Sequence, residues 1–315
     1  MKKDLNKILS INDKYEILEN KGKGSSAMVY LAKNKETKKN YAIKVFKDIS
    51  SDFKNEISFQ EKVSLLNSPY LIKLIEYGNG PIRINYEEEE KQYIILDYAS
   101  NGELFDYIYC SQNWFKEKYA KLIFGKILKG VQALHKAGIC HRDLKLQNIL
   151  LDEFYNPKIC DFGFAAEIQG KDGSGKLYEY LGSKSYAAPE LFFKIPYDGI
   201  KVDIYSLGII LMNLATSKSP FKQAIMNDKY YKYIMKGNIK KYWKLASKEI
   251  REISEELKDL FIKMVSFNPK ERPTIDEILK HPWMKEVEDL NEEEYKLLEK
   301  EVFKEFENIK NKLKK

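Results

Sequence analysis

Between residues 13 and 97 apolar and polar positions alternate in short runs, and after residue 100 the period lengthens to three and four. Tyr15–Glu19, Met28–Lys33 and Asn40–Phe46 read as strands, broken by glycines and by a turn at Asn34–Lys39. A helix is expected at about 52–66, then strands at Tyr70–Tyr77 and Gln92–Tyr98. Between those two strands, GNGPIRINYEEEEK combines Gly, Pro and a charge run and is expected to be a surface loop. In 115–137 the residues Ala120, Ile123, Phe124, Ile127, Leu128, Val131 and Leu134 mark a helix with one buried face. VDIYSLGIILMNLA at 202–215 is apolar nearly all round and is expected to be a core helix. From 286 the chain reads as a charged helical tail. Its stripe Leu298, Val302, Phe306, Ile309 and Leu313 wants a covering surface, either the protein's own body or a regulatory or dimer partner. No internal repeat is visible.

Composition narrows the class. At 315 residues, 43% hydrophobic and 13% aromatic, the chain can build substantial cores. No apolar run reads as long enough to span a bilayer, and the N-terminus lacks the apolar core of a signal peptide. No membrane association is expected. Cys110, Cys140 and Cys160 form no CxxC pair, so reduced thiols in the cytoplasm or nucleus are expected. The net charge is +7, but lysine reads as scattered among glutamates rather than gathered in one patch, so no nucleic-acid partner is expected.

Four short strings carry chemistry. GKGSSAMV at 22–29 lies between two strand-like runs, where Gly22 and Gly24, with Ser25 and Ala27 in the same turn, let the backbone approach phosphates. A strand rather than a helix follows, which favours a strand–turn–strand flap over a dinucleotide turn. YAIK ends an apolar strand on Lys44, a compact cation suited to a phosphate contact. In HRDLKLQN at 141–148, Asp143 can accept or orient a hydroxyl proton and Lys145 can neutralise a phosphate. Asn148 and the Asp161 of DFG offer hard oxygens to magnesium. His141 has no His or Cys at ligand spacing, so a packed structural role is expected.

These strings, with AAPE ending at Glu190, DIYSLG at 203–208 and NPKERPT at 268–274, resemble the eukaryotic protein kinase family over about residues 15–285. YAAPELF, YDG and DIYSLGIIL are similar to its calmodulin-dependent and AMP-activated side. The resemblance implies an α+β, two-lobed fold: an extension at 1–12, a small β-rich N-lobe with one main helix at 13–97, a larger helical C-lobe at 98–285, and the tail at 286–315. It implies a transferase that moves the γ-phosphate of ATP, with Mg2+, to Ser or Thr of protein substrates. Lys44 then holds the α- and β-phosphates, Val29, Ala42 and Leu150 sandwich the adenine, and the backbone of Asp97 and Ala99 pairs with its edge behind Leu96. Glu103 lies near the ribose or a basic substrate residue. Glu190 pairs with Arg272, and Asp203 braces the catalytic loop. Lys145 goes with Ser/Thr rather than Tyr specificity, and Ser183 replaces the usual threonine beside Asp143.

Several positions depart from the family pattern. Ala27 stands for a third glycine, and Lys21 for an apolar residue over the adenine. An ungapped count places Phe59 where Lys44 needs a glutamate; Glu56, one turn earlier, is favoured over Glu61. Gln147 and Asn213 are neutral where basophilic relatives carry glutamates, so a modest preference for basic substrates is expected. Arg142 is expected to meet Glu179 in place of a phosphorylated residue, with Ser174, Tyr178 and Tyr180 as alternative phosphosites. The rival reading is a pseudokinase, a kinase-shaped binding module; a small-molecule kinase is the third.

Overall fold

The computed structural model describes residues 8–11, 14–24, 26–47, 51–84, 87–109 and 115–313, so Ser25 and Cys110 lie outside the described residues. The chain divides into two compact units, one running through Ser100 and including Asp161–Gly163, the other holding the rest.

In the first unit the alternation becomes β1 (Ile8–Ile11), β2 (Tyr15–Lys23), β3 (Ala27–Asn34), β4 (Asn40–Phe46), β5 (Leu74–Ile84) and β6 (Glu87–Asp97). They close a barrel in the order β1-β2-β3-β4-β6-β5, every pair antiparallel. The period of two sends Ile17, Tyr30, Ala32, Ile43, Val45, Tyr93 and Ile95 to one side, where they pack with Tyr15. The segment expected to be a surface loop is instead strand on both arms. Pro81 and Ile82 sit within β5 because Ile82, 1% exposed, joins that core, while Glu88–Glu90 stay exposed. Ile8–Ile11, assigned by the sequence to an extension, pairs with β2 and with the far end of β5. The strand expected from Tyr70 begins at Leu74. Helix α1 (Ser51–Leu65) buries Phe53, Glu56, Ile57, Gln60 and Val63, the i, i+3, i+4, i+7 and i+10 positions of one stripe.

The second unit is mainly helical. It contains α2 (Leu104–Tyr109), α3 (Glu117–Lys136), β7 (Ile139–Cys140), β8 (Ile149–Leu151), β9 (Pro157–Ile159), β10 (Ala166–Glu167), α4 (Pro189–Phe192) and α5 (Gly199–Thr216). Then follow α6 (Tyr231–Met235), α7 (Ile239–Ala246), α8 (Glu255–Met264), α9 (Ile275–Leu279), α10 (Pro282–Glu288) and α11 (Glu292–Leu313). The architecture is α+β, as the sequence implies. Helix α5 starts at an Asp198 cap that accepts from Ile200 and Lys201 N–H. Contrary to the sequence reading, α5 is long and apolar enough to cross a bilayer on length and composition, but 89% of it is buried in protein, including Asp203 and Asn213.

The tail stripe is covered by the second unit itself. Leu298, Val302, Phe306 and Ile309 are buried, whereas Leu313, on the same face at the end of α11, is exposed. The Phe306 ring stacks on Tyr155 at 4.9 Å and meets Phe115 at 5.1 Å and Tyr107 at 5.3 Å. Lys126 binds Glu299 at 2.6 Å and Lys310 reaches Asn101 Oδ1 at 2.6 Å, tying α11 down at both ends.

Candidate active site

The two groups of site residues lie in different units. In the first, sheet register collects the apolar ones. Val29 pairs with Lys44 and Lys44 with Ile94; Ala42 pairs with Leu96. Ile43 and Val45 point into the barrel, so Ala42 and Lys44 share its opposite face with half-buried Val29 and Leu96. Gly22 lies near the end of β2, and Gly24 N–H closes the turn onto Ala27 O at 2.8 Å. A Cβ at Gly24 would meet Ala27 O at 3.3 Å, a tight contact. Asp97 N–H is held by Lys73 O at 3.0 Å, and Ala99 is buried. Lys21 is exposed and pairs with Glu19 at 2.8 Å.

Lys44 is the electrostatic centre of this unit. Its Nζ lies 2.7 Å from both Glu56 oxygens and 3.0 Å from Asp161 Oδ1. Burial alone would lower the ammonium pKa, but the Glu56 and Asp161 carboxylates outweigh it and raise it. Glu61, the rival partner, accepts from Tyr77 OH at 2.9 Å, and Phe59 is buried. Asp161 sits at φ 68°, a left-handed backbone uncommon for a non-glycine residue. Asn55 Nδ2 donates to Gly163 O at 2.9 Å and fixes this segment to α1.

In the second unit the loop 141–148 is braced from below by Asp203, which is fully buried in α5. Its oxygens accept His141 N–H and Arg142 N–H, each at 2.8 Å, and meet His135 Nε2 at 2.9 Å. His141 is fully buried with Nε2 3.0 Å from Cys160 O, a structural position as expected. Arg142 takes a left-handed φ of 65°, which turns the chain so that Asp143 follows at 5% exposure. Asp143 Oδ1 accepts Ser183 N–H at 2.8 Å and Oδ2 accepts Lys145 Nζ at 2.6 Å. Lys145 Nζ also donates to Ser183 Oγ at 3.0 Å. Asn148 Nδ2 donates to Asp143 O at 2.9 Å and to Oδ2 at 3.2 Å. Gly182 allows this close packing: φ is 103° and an added Cβ would lie 2.7 Å from Arg142 O.

The segment after residue 164 is pinned on the Arg142 guanidinium. Nε donates to Phe164 O at 2.6 Å, and Nη1 and Nη2 each lie 3.2 Å from Glu179 Oε2. Lys171, at 2.7 Å, is the main reason the Glu179 pKa is lowered; burial opposes it and Arg142 adds to it. Around Ser174 the chain forms hydrogen-bonded turns, with Ser174 Oγ donating to Asp172 at 2.7 Å. Glu190 and Arg272 form a buried two-pronged pair at 2.6 and 2.8 Å.

Glu103 is half-buried and bridges Leu150 of β8. Burial raises its pKa, Asp106 raises it further, and Lys145 opposes both. Asp106, whose charge acts on Glu103, was not singled out from the sequence; its i+3 spacing from Glu103 was the available signal. Asn213 is 1% exposed and held between Tyr109 OH and Tyr186 OH, each at 3.2 Å, so it faces no solvent.

A barrel with a strand–turn–strand flap, a Lys–Glu pair at its face and an Asp–Lys–Asn loop held by a buried aspartate carry the motif set that the sequence resemblance rests on. The chain belongs to the protein kinase family: residues 15–284 match the protein kinase domain. It is 33% identical over 286 residues to CBL-interacting protein kinase 26 of Oryza sativa subsp. japonica, covering 89% of this chain and 54% of that protein. It is 34% identical over 281 residues to CBL-interacting serine/threonine-protein kinase 13 of Arabidopsis thaliana, covering 87% of this chain and 51% of that protein. Against the probable serine/threonine-protein kinase MARK-C of Dictyostelium discoideum identity is 35%, over 90% of this chain and 34% of that protein. The chain thus spans about half or less of the length of these relatives. They agree with the resemblance to the calmodulin-dependent and AMP-activated kinases.

Proposed function

We propose that this chain transfers the γ-phosphate of ATP to serine or threonine hydroxyls of protein substrates. The observation that carries the reading is Asp143, held by Ser183 N–H and Lys145 Nζ at 2.8 and 2.6 Å in a loop braced from the core. Its carboxylate orients the substrate hydroxyl and accepts its proton as oxygen bonds to the γ-phosphorus and the bond to ADP breaks. Lys145 offsets charge on the transferred group, and Lys44, oriented by Glu56, holds the α- and β-phosphates. Gly22, Gly24 and Ala27, around the turn from β2 to β3, form the flap over the triphosphate. In the first unit Val29, Ala42 and Leu96 offer an apolar face to the adenine, whose edge would meet the backbone of Asp97 and Ala99.

The donor chemistry fits magnesium. Asn148 directs its Nδ2 to Asp143, which leaves Oδ1 as its acceptor, and Asp161 adds a carboxylate that is 43% exposed. Among the described residues no group of three or more His, Cys, Asp or Glu suits a metal alone. Magnesium is commonly held by one or two such side chains together with substrate phosphates. Asn148 in the second unit and Asp161 in the first would each serve as a magnesium ligand, and the ion would neutralise phosphate charge.

Glu103 with Asp106 supports a modest preference for basic residues near the phosphoacceptor. The Arg142–Glu179 contact supports activity without a phosphate on the segment before Glu190. Cys140 and Cys160 as thiols suit the cytoplasm or nucleus. Transfer of labelled phosphate from ATP–Mg2+ into a peptide library tests the reading. Label on Ser and Thr peptides is expected. No transfer, with ATP still bound, would instead indicate a pseudokinase.

A further inference from the structure

The expectation of scattered lysine fails in one region. Residues 218–248 hold nine lysines, no arginine and one carboxylate, Asp228. That is a net of +8 in 31 residues, where the whole chain carries +7. Asp228 is buried, and its oxygens accept the N–H groups of Lys222, Gln223, Tyr230 and Tyr231. It therefore caps backbone and pairs with none of these ammonium groups. Glu249 neutralises one edge, where Lys229 lies 3.0 Å from it.

The remaining charges form a band. At about 100° per residue, Lys240, Lys241 and Lys244 fall within an arc of about 100° on α7. Tyr242 and Ala246 occupy the opposite, buried face. Trp243 is turned away onto Phe261 at 5.9 Å. Lys241 and Lys232 both lie over the Tyr233 ring, at 4.9 and 5.3 Å, which joins α6 to α7 through one aromatic flanked by two cations. Lys236 ends α6 and Lys248 follows α7. Among the described residues none of these six lysines has a carboxylate partner. The band sits on a rigid base, since Tyr231 of α6 packs against Tyr205 of α5 and Phe221.

We propose that this band on α6 and α7 is a docking surface for an acidic polypeptide segment of a partner protein. Six like charges with no carboxylate partner among the described residues repel one another, and an acidic chain relieves that. An extended segment crosses the 8-residue α7, ~12 Å long, in about four residues. Lysine alone favours diffuse attraction to carboxylates over the two-pronged phosphate recognition arginine provides. A membrane surface fits less well, because the one large apolar side chain exposed in this region is Met226, before α6. Nucleic acid fits less well too, because Tyr233 is covered by ammonium groups and Trp243 is packed, leaving no face for base stacking.

The test is fluorescence anisotropy of the full chain with a labelled deca-glutamate peptide, beside a single-stranded DNA 20-mer and phosphatidylserine vesicles. The expected result is saturable peptide binding that weakens as salt rises. Lys240→Gln/Lys241→Gln/Lys244→Gln should weaken it about tenfold, or 1.4 kcal/mol, and the matching Lys→Arg triple should retain it. Lys300→Gln/Lys304→Gln on α11 should leave it unchanged. The readout does not depend on phosphotransfer, so it stands or falls apart from the kinase reading. Equal binding by the Gln triple, loss in the α11 variant, or tighter binding to DNA or vesicles than to the peptide would overturn the proposal.

Discussion

Glu190→Ala should destabilise the protein by about 3–5 kcal/mol, because it strands a guanidinium where water does not reach. Arg272 is 1% exposed, and its Nη1 and Nη2 groups meet the two Glu190 oxygens at 2.6 and 2.8 Å. Other contacts survive the change. Nε keeps Ser266 O at 3.0 Å, Nη1 keeps Lys201 O at 2.9 Å, and the guanidinium stays 4.9 Å from the Tyr205 ring centre. Those partners hold the loss near the lower end, about 3 kcal/mol. At about 2–4 °C per kcal/mol for a chain of this size, the melting temperature should fall by about 6–12 °C. Glu190→Met combined with Arg272→Met should recover most of that, because no charge is then left buried. Urea and thermal unfolding of the wild type, both single Met variants, Glu190→Ala and the double complete a mutant cycle. A loss under about 1 kcal/mol in Glu190→Ala, or a double Met variant equal to the sum of its singles, would refute the reasoning.

Phe306→Ala should cost about 3–5 kcal/mol in urea unfolding, since it removes a fully buried ring among Tyr107, Phe115 and Tyr155; a neutral result would mean α11 is not part of the folded core. Glu179→Ala, in protein shown by mass to be unphosphorylated, should lose about fivefold in activity. That corresponds to roughly 1 kcal/mol for a half-exposed charged contact; unchanged activity would dismiss the role given to Arg142–Glu179. For Glu117, burial pushes the carboxyl pKa up, but hydrogen bonds from Ser254 and Trp283 outweigh it and hold the pKa below the ordinary 4.5. Its stabilising contribution is therefore present above pH 4.5 and fades as pH falls through the lowered value. The melting temperatures of wild type and Glu117→Gln should differ at pH 7 and converge near pH 3; a gap that widens in acid would reverse the assignment.

How much was legible in the sequence depended on whether the signal was local. Asp143, Lys145, Asn148 and Asp161 lie in short strings whose residue types state their chemistry, and α3 and α5 announce themselves by period and apolarity. The partner of Lys44 was harder, because the connection from β4 to α1 sets the helix phase and its length shift is invisible to an ungapped count. In the structure Glu56 faces Lys44, while Phe59 turns into the core. The β5–β6 hairpin looked like a loop because Gly78, Gly80, Pro81 and the glutamates outweigh one buried Ile82. What makes it a strand is pairing with Ile8–Ile11, distant in sequence. The lysine band was countable from the start, but only the fold shows that Asp228 turns inward and leaves it uncompensated. Asp106 was passed over for want of a motif, though its spacing from Glu103 was there to read.

The central claim is that Asp143 serves the transferring step rather than the holding of nucleotide. The direct measurement is Asp143→Asn, with the single-turnover phosphotransfer rate to a serine peptide and the Kd for ATP–Mg2+ taken on the same preparation. Removing a positioned base is expected to slow transfer by about 10²–10⁴-fold, with ATP affinity changed less than about threefold, or roughly 0.6 kcal/mol. Equal losses in rate and affinity, or a rate within tenfold of wild type, would contradict the account.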